Sequence, residues 1–392
     1  MAVNTMSVED AYALINALHA QVTGQNSIQA TDLSSFVSVA QETLSAGYDA
    51  VLGAISQVLT KTMIAVRPYS RKFAGLEFTS DKWGAITRKI NFIEGSTETD
   101  PTWTLTDGQS VDQYVIDKPK VLETHYYGSE TYMDKYTVLT TQLDVAFSNP
   151  TEFAAFMSGV ATHFSNMWEQ WLENVSRQSL LNFMAGKINA GNVVYLLDEY
   201  NLATAQSLTP VSVKLPSNYG PFMKWAYARV ADLSRAMSER SEAYQTKITG
   251  KPIVRHTPAE DQRLFMLSSF LNSMKAEVQS GAYNDSFLNY AYTEAVTYWQ
   301  AFNDPDKISV TPVQLKADGT LETGTAVAKS NIIGVLFDRD AIGYNIYQNE
   351  IVASPYNARG QYYNNFHHAR VQTENDFTEK GIVLALTALG AA

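Results

Sequence analysis

Cysteine is absent from this chain of 392 residues. Disulfides, thiolate nucleophiles and Cys-ligated zinc are excluded with it. Charge is sparse, at 18% Asp, Glu, Lys and Arg with a net of −11, where globular chains carry about a quarter. The surface must rely on neutral polar groups instead. The first 60 residues hold no Lys or Arg, only Glu9, Asp10, Asp32, Glu42 and Asp49. A basic arm gripping nucleic acid at this end is thereby ruled out. A membrane span needs about 18 consecutive apolar residues, and none is found. The start "MAVNTMSVED" lacks the basic residues and apolar run of a signal peptide. Internal repeats and low-complexity segments are missing as well.

Catalytic signatures are also wanting. "MAGKI" offers Gly186-Lys187, but Leu181 and Ile188 stand where a phosphate loop needs Gly and Ser or Thr. There is no HExxH, GxSxG or EF-hand loop, and no GxGxxG after a strand. The six histidines, His19, His125, His163, His256, His367 and His368, include no i, i+4 pair. Neighbours such as His367 and His368 diverge on a strand and on a helix alike, so one metal cannot readily be clamped between them. "FDRDAIG" sets Asp338 and Asp340 around Arg339. Paired carboxylates suit acid–base chemistry or a cation; a strand end with Asp340 capping a short turn accounts for them more simply. No catalytic, cofactor or metal residue is assigned.

What is present is a hydrophobic share of 45%, with 22 Tyr and 17 Phe. Such aromatics suit large protein–protein surfaces as well as cores. Ser7 and Asp10 resemble a capping box, followed by Val8, Ala11, Leu14, Ile15, Leu18 and Val22 at helical spacing. A second helical pattern starts near Asp32 and a third follows Gly47, with Val51, Leu52, Ile55, Val58 and Leu59. These narrow stripes predict a helical arm that packs on the body or on a neighbour. "WGAITRKINFIE" (83–94) and "VDQYVIDKPKVLETHYYG" (111–128) then alternate as two antiparallel strands. Pro119 fits an edge strand or a bulge. Their irregular tip, 95–110, carries Glu98, Asp100, Trp103 and Asp107. A long two-stranded arm is marginal alone in water and calls for something to lie on.

Pro150 opens the strongest helix, with Asn149 as N-cap and Glu152 at the third position. Its apolar period runs from Phe153 to Val175, and the helix is expected to reach about residue 187, roughly 55 Å. Beyond it the pattern predicts a helix over 220–239, a strand at "RLFMLSSF" and a helix to about Gln279. "AVTYWQAF", "ISVTPVQL", "NIIGVLFD" and "KGIVLALTAL" read as strands, with "ADGT" (317–320) as a hairpin turn.

This order of helical arm, hairpin, long helix, mixed region and return strand resembles the major capsid proteins of tailed bacteriophages, the Hong Kong 97-type fold. The likeness is sharpest over 331–387, where a buried strand ends in "FDRDAIG". A "NARG" turn, an aromatic strand containing Arg370, an acidic turn and a final apolar strand follow. Beside the N-terminal helical arm read at 1–65, which carries no clear family motif, the resemblance over about 60–392 implies an α+β subunit: extended loop 66–128, peripheral domain 129–190 with the spine helix, axial domain 191–334, and a peripheral return at 335–392. It implies assembly into hexamers and pentamers of an icosahedral head enclosing double-stranded DNA, without sequence-specific binding. It further implies location in the virion after assembly in the host cytoplasm, with a portal, scaffold and decoration proteins as partners. Glu98, Asp100, Trp103, Asp107, Arg359 and Arg370 are then the candidate subunit-interface residues, and no enzymatic activity is expected. Some family members crosslink a Lys of this loop to a neighbour's Asn. The tip here has no Lys, so that bond is not carried over. An encapsulin-like shell holding cargo, and an enzyme using Asp338 and Asp340, are the alternatives.

Overall fold

A computed structural model describes residues 8–24, 29–46, 69–78, 86–93, 100–147 except 115, 117 and 119, 150–247, 253–279, 292–315 and 320–388. The helices are α1 (Val8–Thr23), α2 (Leu33–Ser45), α3 (Thr140–Ala146), α4 (Pro150–Asn189), α5 (Leu196–Thr204), α6 (Pro216–Ser238) and α7 (Ser268–Gln279). The first strands are β1 (Ile86–Ile93), β2 (Lys120–Tyr127), β3 (Glu130–Leu139), β4 (Val193–Tyr195), β5 (Gln262–Leu267) and β6 (Tyr292–Val296). Short strands β7 (Ile308–Val310), β8 (Val313–Leu315), β9 (Leu321–Thr323) and β10 (Val327–Lys329) precede β11 (Ile332–Asp338), β12 (Ile342–Ala353), β13 (Tyr362–Asn375) and β14 (Gly381–Ala385). The α+β class expected from the sequence holds. The chain divides into two compact units: Met1–Ala85, Gly128–Val175 and Tyr344–Gln372; and Ile86–Tyr127, Ser176–Gly343 and Thr373–Ala392.

In the first unit, Asp32 caps α2 by accepting from the Ser35 amide, and Ser35 closes a capping box in return. Those hydrogen bonds pull the Asp32 carboxyl down to about 2. Ala11, Ile15 and Leu18 of α1 and Phe36, Val39 and Ala40 of α2 share a core with Phe153, Met157, Val160 and Phe164 of α4. The narrow stripes of the arm thus close on the long helix. The expected cap at Ser7 and the third helix at 51–59 lie outside the described residues. A three-stranded sheet in the order β12-β13-β3 completes this unit. Strands β3 and β12 went unread in the sequence.

The second unit is built on a five-stranded sheet in the order β4-β14-β11-β5-β6. Every residue of β11 and β14 is buried. One face packs Leu264, Met266, Leu336, Ile382 and Leu384 against Phe222, Met223, Val230 and Leu233 of α6. Phe337 points the other way, toward the rings of Phe265 and Phe183. At Gly334 the register of β11 shifts, and a Cβ there would stand 2.9 Å from the Phe265 carbonyl oxygen.

Three strand expectations need correction, the first being "ISVTPVQL", which divides at Thr311 and Pro312 into β7, paired with β10, and β8, paired with β9. The strand expected from 111 begins at Lys120, which pairs with Ile93, and the described residues 111–114 before it are irregular. Pro119 lies outside the described residues. The expected strand 295–302 stops at Val296. Trp299 instead buries its ring and donates from its indole nitrogen to the Ile332 carbonyl at 2.9 Å. The "ADGT" turn falls largely outside the described residues, although β8 and β9 on either side do pair antiparallel.

Candidate assembly surfaces

Strands β1 and β2 pair antiparallel from Ile86↔Tyr127 to Ile93↔Lys120. Alternation sends Thr87, Lys89 and Asn91 inward with Thr124 and Tyr126, while Ile93 and Leu122 are half-buried toward the tip. The outward row holds Arg88, Ile90 and Phe92 on β1 and Val121, Glu123, His125 and Tyr127 on β2. Phe92, 68% exposed, sits directly opposite exposed Val121. An isolated sheet in water buries its apolar face and solvates its polar one. This hairpin departs from that pattern: its covered face is mostly polar, and its exposed face mixes Ile90, Phe92, Val121 and Tyr127 with the ion-paired Arg88, Glu123 and His125.

The inner face meets a cluster of ions. Lys89 Nζ lies 2.7 Å from Asp376 Oδ2 and 2.6 Å from Glu379 Oε1. Arg255 also pairs with Glu379, and it donates to Asn91 Oδ1 at 2.9 Å and to Thr378 Oγ1 at 2.8 Å. Burial alone would lower the Lys89 ammonium, but the charges of Asp376 and Glu379 hold it above its ordinary value. Burial pushes both carboxyls up; at Asp376 the Lys89 charge and hydrogen bonds reverse this, and at Glu379 burial prevails. Beside them Lys187 Nζ donates to the carbonyls of Tyr244, Phe377 and Glu379 at 3.0, 3.0 and 2.7 Å. Burial draws Lys187 down to about 7.

Past the hairpin, residues 100–114 form an irregular tip that opens with the turn Pro101–Trp103. Trp103, Tyr114 and Ile116 are each at least 80% exposed. Asp100 accepts from the Thr102 amide at 2.9 Å, and the hydrogen bonds of Thr102 lower its carboxyl. Asp107 is exposed. Glu98 lies outside the described residues.

In the first unit, β13 alternates so that His367 is buried and His368 half-buried on opposite faces. His367 packs among Tyr132, Phe164 and Trp168, with Nε2 2.6 Å from Asn349 Oδ1. Burial drops it to about 4. The outer face carries Tyr362, Phe366, His368 and Arg370 on β13, opposite Leu139, Lys135, Met133 and Thr131 on β3. Arg359 and Arg370 are exposed, and among the described residues neither guanidinium has an ion-pair partner. Also in this unit, Arg71 reaches Glu169 at 2.8 Å, Tyr344 Oη at 2.8 Å and Glu77.

Asp338 and Asp340 do not form a catalytic pair. Asp338 caps the turn by accepting from the Asp340 amide at 2.8 Å, and its other oxygen accepts from Thr257 at 2.6 Å. The capping role expected of Asp340 belongs to Asp338, whose carboxylate precedes the free amides. Asp340 meets Arg339 at the surface instead. Among the described residues no group of three or more His, Asp or Glu could hold a metal. Sequence reasoning missed the ion cluster. Its one signal was Lys187, a cation in the otherwise uncharged last three turns of α4.

Residues 13–383 match the family model described as Phi29-like phage major capsid protein. The chain belongs to that family. It is a major capsid protein, a subunit of the phage head shell and a component of the virion. A chain from the capsid structure of Staphylococcus phage Andhra shares the fold with a TM-score of 0.52 at 10% identity, over 81% of this chain and 84% of that one. A chain from the structure of the head fiber and inner core protein gp22 of native bacteriophage P68 gives 0.55 at 10% identity, over 81% and 85%. No curated protein matches this capsid protein in sequence.

Proposed function

We propose that this capsid protein assembles as hexamers and pentamers of an icosahedral head by seating the hairpin and acidic tip of one copy on the outer β13–β3 face of the next. One observation carries the proposal: the hairpin exposes Ile90, Phe92, Val121 and Tyr127, and the residues 94–117 that follow β1 contain acids but no Lys or Arg. The outer face of the β13–β3 sheet offers the complement, with exposed Met133 and Leu139 beside Lys135, Arg359 and Arg370. Trp103 acts as the aromatic anchor, and Glu98, Asp100 and Asp107 face the two arginines. Charge complementarity of this kind sets register and partner choice more than raw affinity.

In this reading 1–65 is the arm, 66–128 the extended loop, 129–190 and 335–392 the peripheral domain, and 191–334 the axial domain. The shell encloses DNA without reading its sequence, and the acidic balance keeps the lining from gripping it. Assembly occurs in the host cytoplasm with a portal, scaffold and decoration proteins, and the subunit has no enzymatic role.

Charge exchange tests the contact. Asp100→Lys with Asp107→Lys is expected to leave the subunit folded and to abolish shells seen by negative-stain microscopy. Adding Arg359→Glu and Arg370→Glu is expected to restore them. Normal shells from the first variant would refute the proposed pairing.

A further inference from the structure

We infer that the hairpin is fastened to its own unit by an ionic latch, and that it opens as a separate element while the five-stranded sheet stays intact. The inner face determines this. Thr87, Lys89 and Asn91 on β1 and Tyr126 on β2 supply polar contacts to the rest of the unit. Lys89 spans Asp376 and Glu379, and Asn91 accepts from Arg255. Tyr126 lies against Asp376, and Thr87 against Glu374. Of the apolar inward residues, Ile93 and Leu122 are only half-buried.

Opening a sheet with an apolar inner face exposes hydrocarbon to water. Opening this one returns ions and hydroxyls to water, which solvates them well and offsets much of the lost pairing. Ile90, Phe92, Val121 and Tyr127 are already outside, so their exposure does not change. Meanwhile Asp376 and Glu379 stay fixed without the hairpin. Thr378 donates to Asp376 Oδ1 from its amide at 2.9 Å and its hydroxyl at 2.5 Å, and Arg255 remains on Glu379. Lys187 holds the same turn from below through the Phe377 and Glu379 carbonyls. The receiving half of the latch is therefore preformed, and the hairpin can reseat on it. Local elements of this kind open at free energies below that of the whole fold.

Amide hydrogen exchange on the full-length subunit, followed by mass spectrometry across a denaturant series, tests this. In the unchanged chain, peptides covering 86–93 and 120–127 are expected to exchange through an opening with little denaturant dependence. Peptides covering β11 and β14 are expected to follow global unfolding. A single shared isotherm for both sets would overturn the inference. In Lys89→Met the hairpin peptides are expected to exchange about tenfold faster or more, with β11 and β14 within about twofold of the parent. Equal acceleration of both sets, or none in the hairpin, would also overturn it. Should that variant fail to fold, the denaturant series on the parent decides.

Discussion

Two sheets of the second unit solve burial in opposite ways. The five-stranded sheet hides apolar residues on both faces, with Leu336 toward α6 and Phe337 toward the rings of Phe183 and Phe265. The hairpin hides Lys89, Asn91 and Thr124 and exposes Ile90, Phe92 and Tyr127. The first arrangement closes a core within one chain. The second leaves apolar side chains exposed on the subunit, the face proposed above as a contact with another copy. In the latch proposed above, ions fix the hairpin's position while leaving it separable, whereas close-packed apolar cores resist separation.

The largest effect expected from breaking this contrast is in the apolar sheet. Phe337→Ala should destabilise the subunit by about 3–5 kcal/mol, read by chemical denaturation, and should remove shells by loss of folded protein. A value below about 1 kcal/mol would deny that sheet its role as the core.

The three-stranded sheet is an intermediate case, with one titratable group buried among rings. His367 is neutral when folded because burial lowers it from 6.5 to about 4. The unfolded chain takes up a proton below pH 6.5 and the folded one does not, so stability falls as pH drops from about 6.5 to about 4. The loss is on the order of 3 kcal/mol. His367→Gln should flatten that limb of a stability-against-pH curve; an unchanged slope would assign it to other groups.

On the hairpin's outer face the expected change in subunit stability is smallest. Phe92→Ser should alter it by no more than about 0.5 kcal/mol, as for other exposed positions, yet impair assembly. Shells of normal yield would erase the distinction drawn between the two sheets.

Much of this fold was legible in the chain. Pro150 and the apolar period after it marked the long helix, and "NIIGVLFD" and "KGIVLAL" marked buried strands, because continuous apolar runs have few other places to go. The capsid resemblance also rested on residues, chiefly "FDRDAIG" and the aromatic strand after it. The divergence of His367 and His368 followed from strand geometry alone. The capping of the turn at 339–341 was misassigned to Asp340, since only the backbone path reveals which carboxylate precedes the free amides.

By itself the sequence determined the longest helix, the hairpin and the buried strands, with their two-faced character where it exists, since periods of 2 and 3.6 residues are local properties of the backbone. Tertiary structure alone decided which face is covered. In the hairpin the alternation is plain, but a pattern of period 2 marks two faces without saying what each one meets. The inner face became the polar one because Asp376, Glu379 and Arg255, distant in the chain, converge beneath Lys89 and Asn91. Pairing across such separations depends on the path of the whole chain, and no local property of residues 86–127 encodes it.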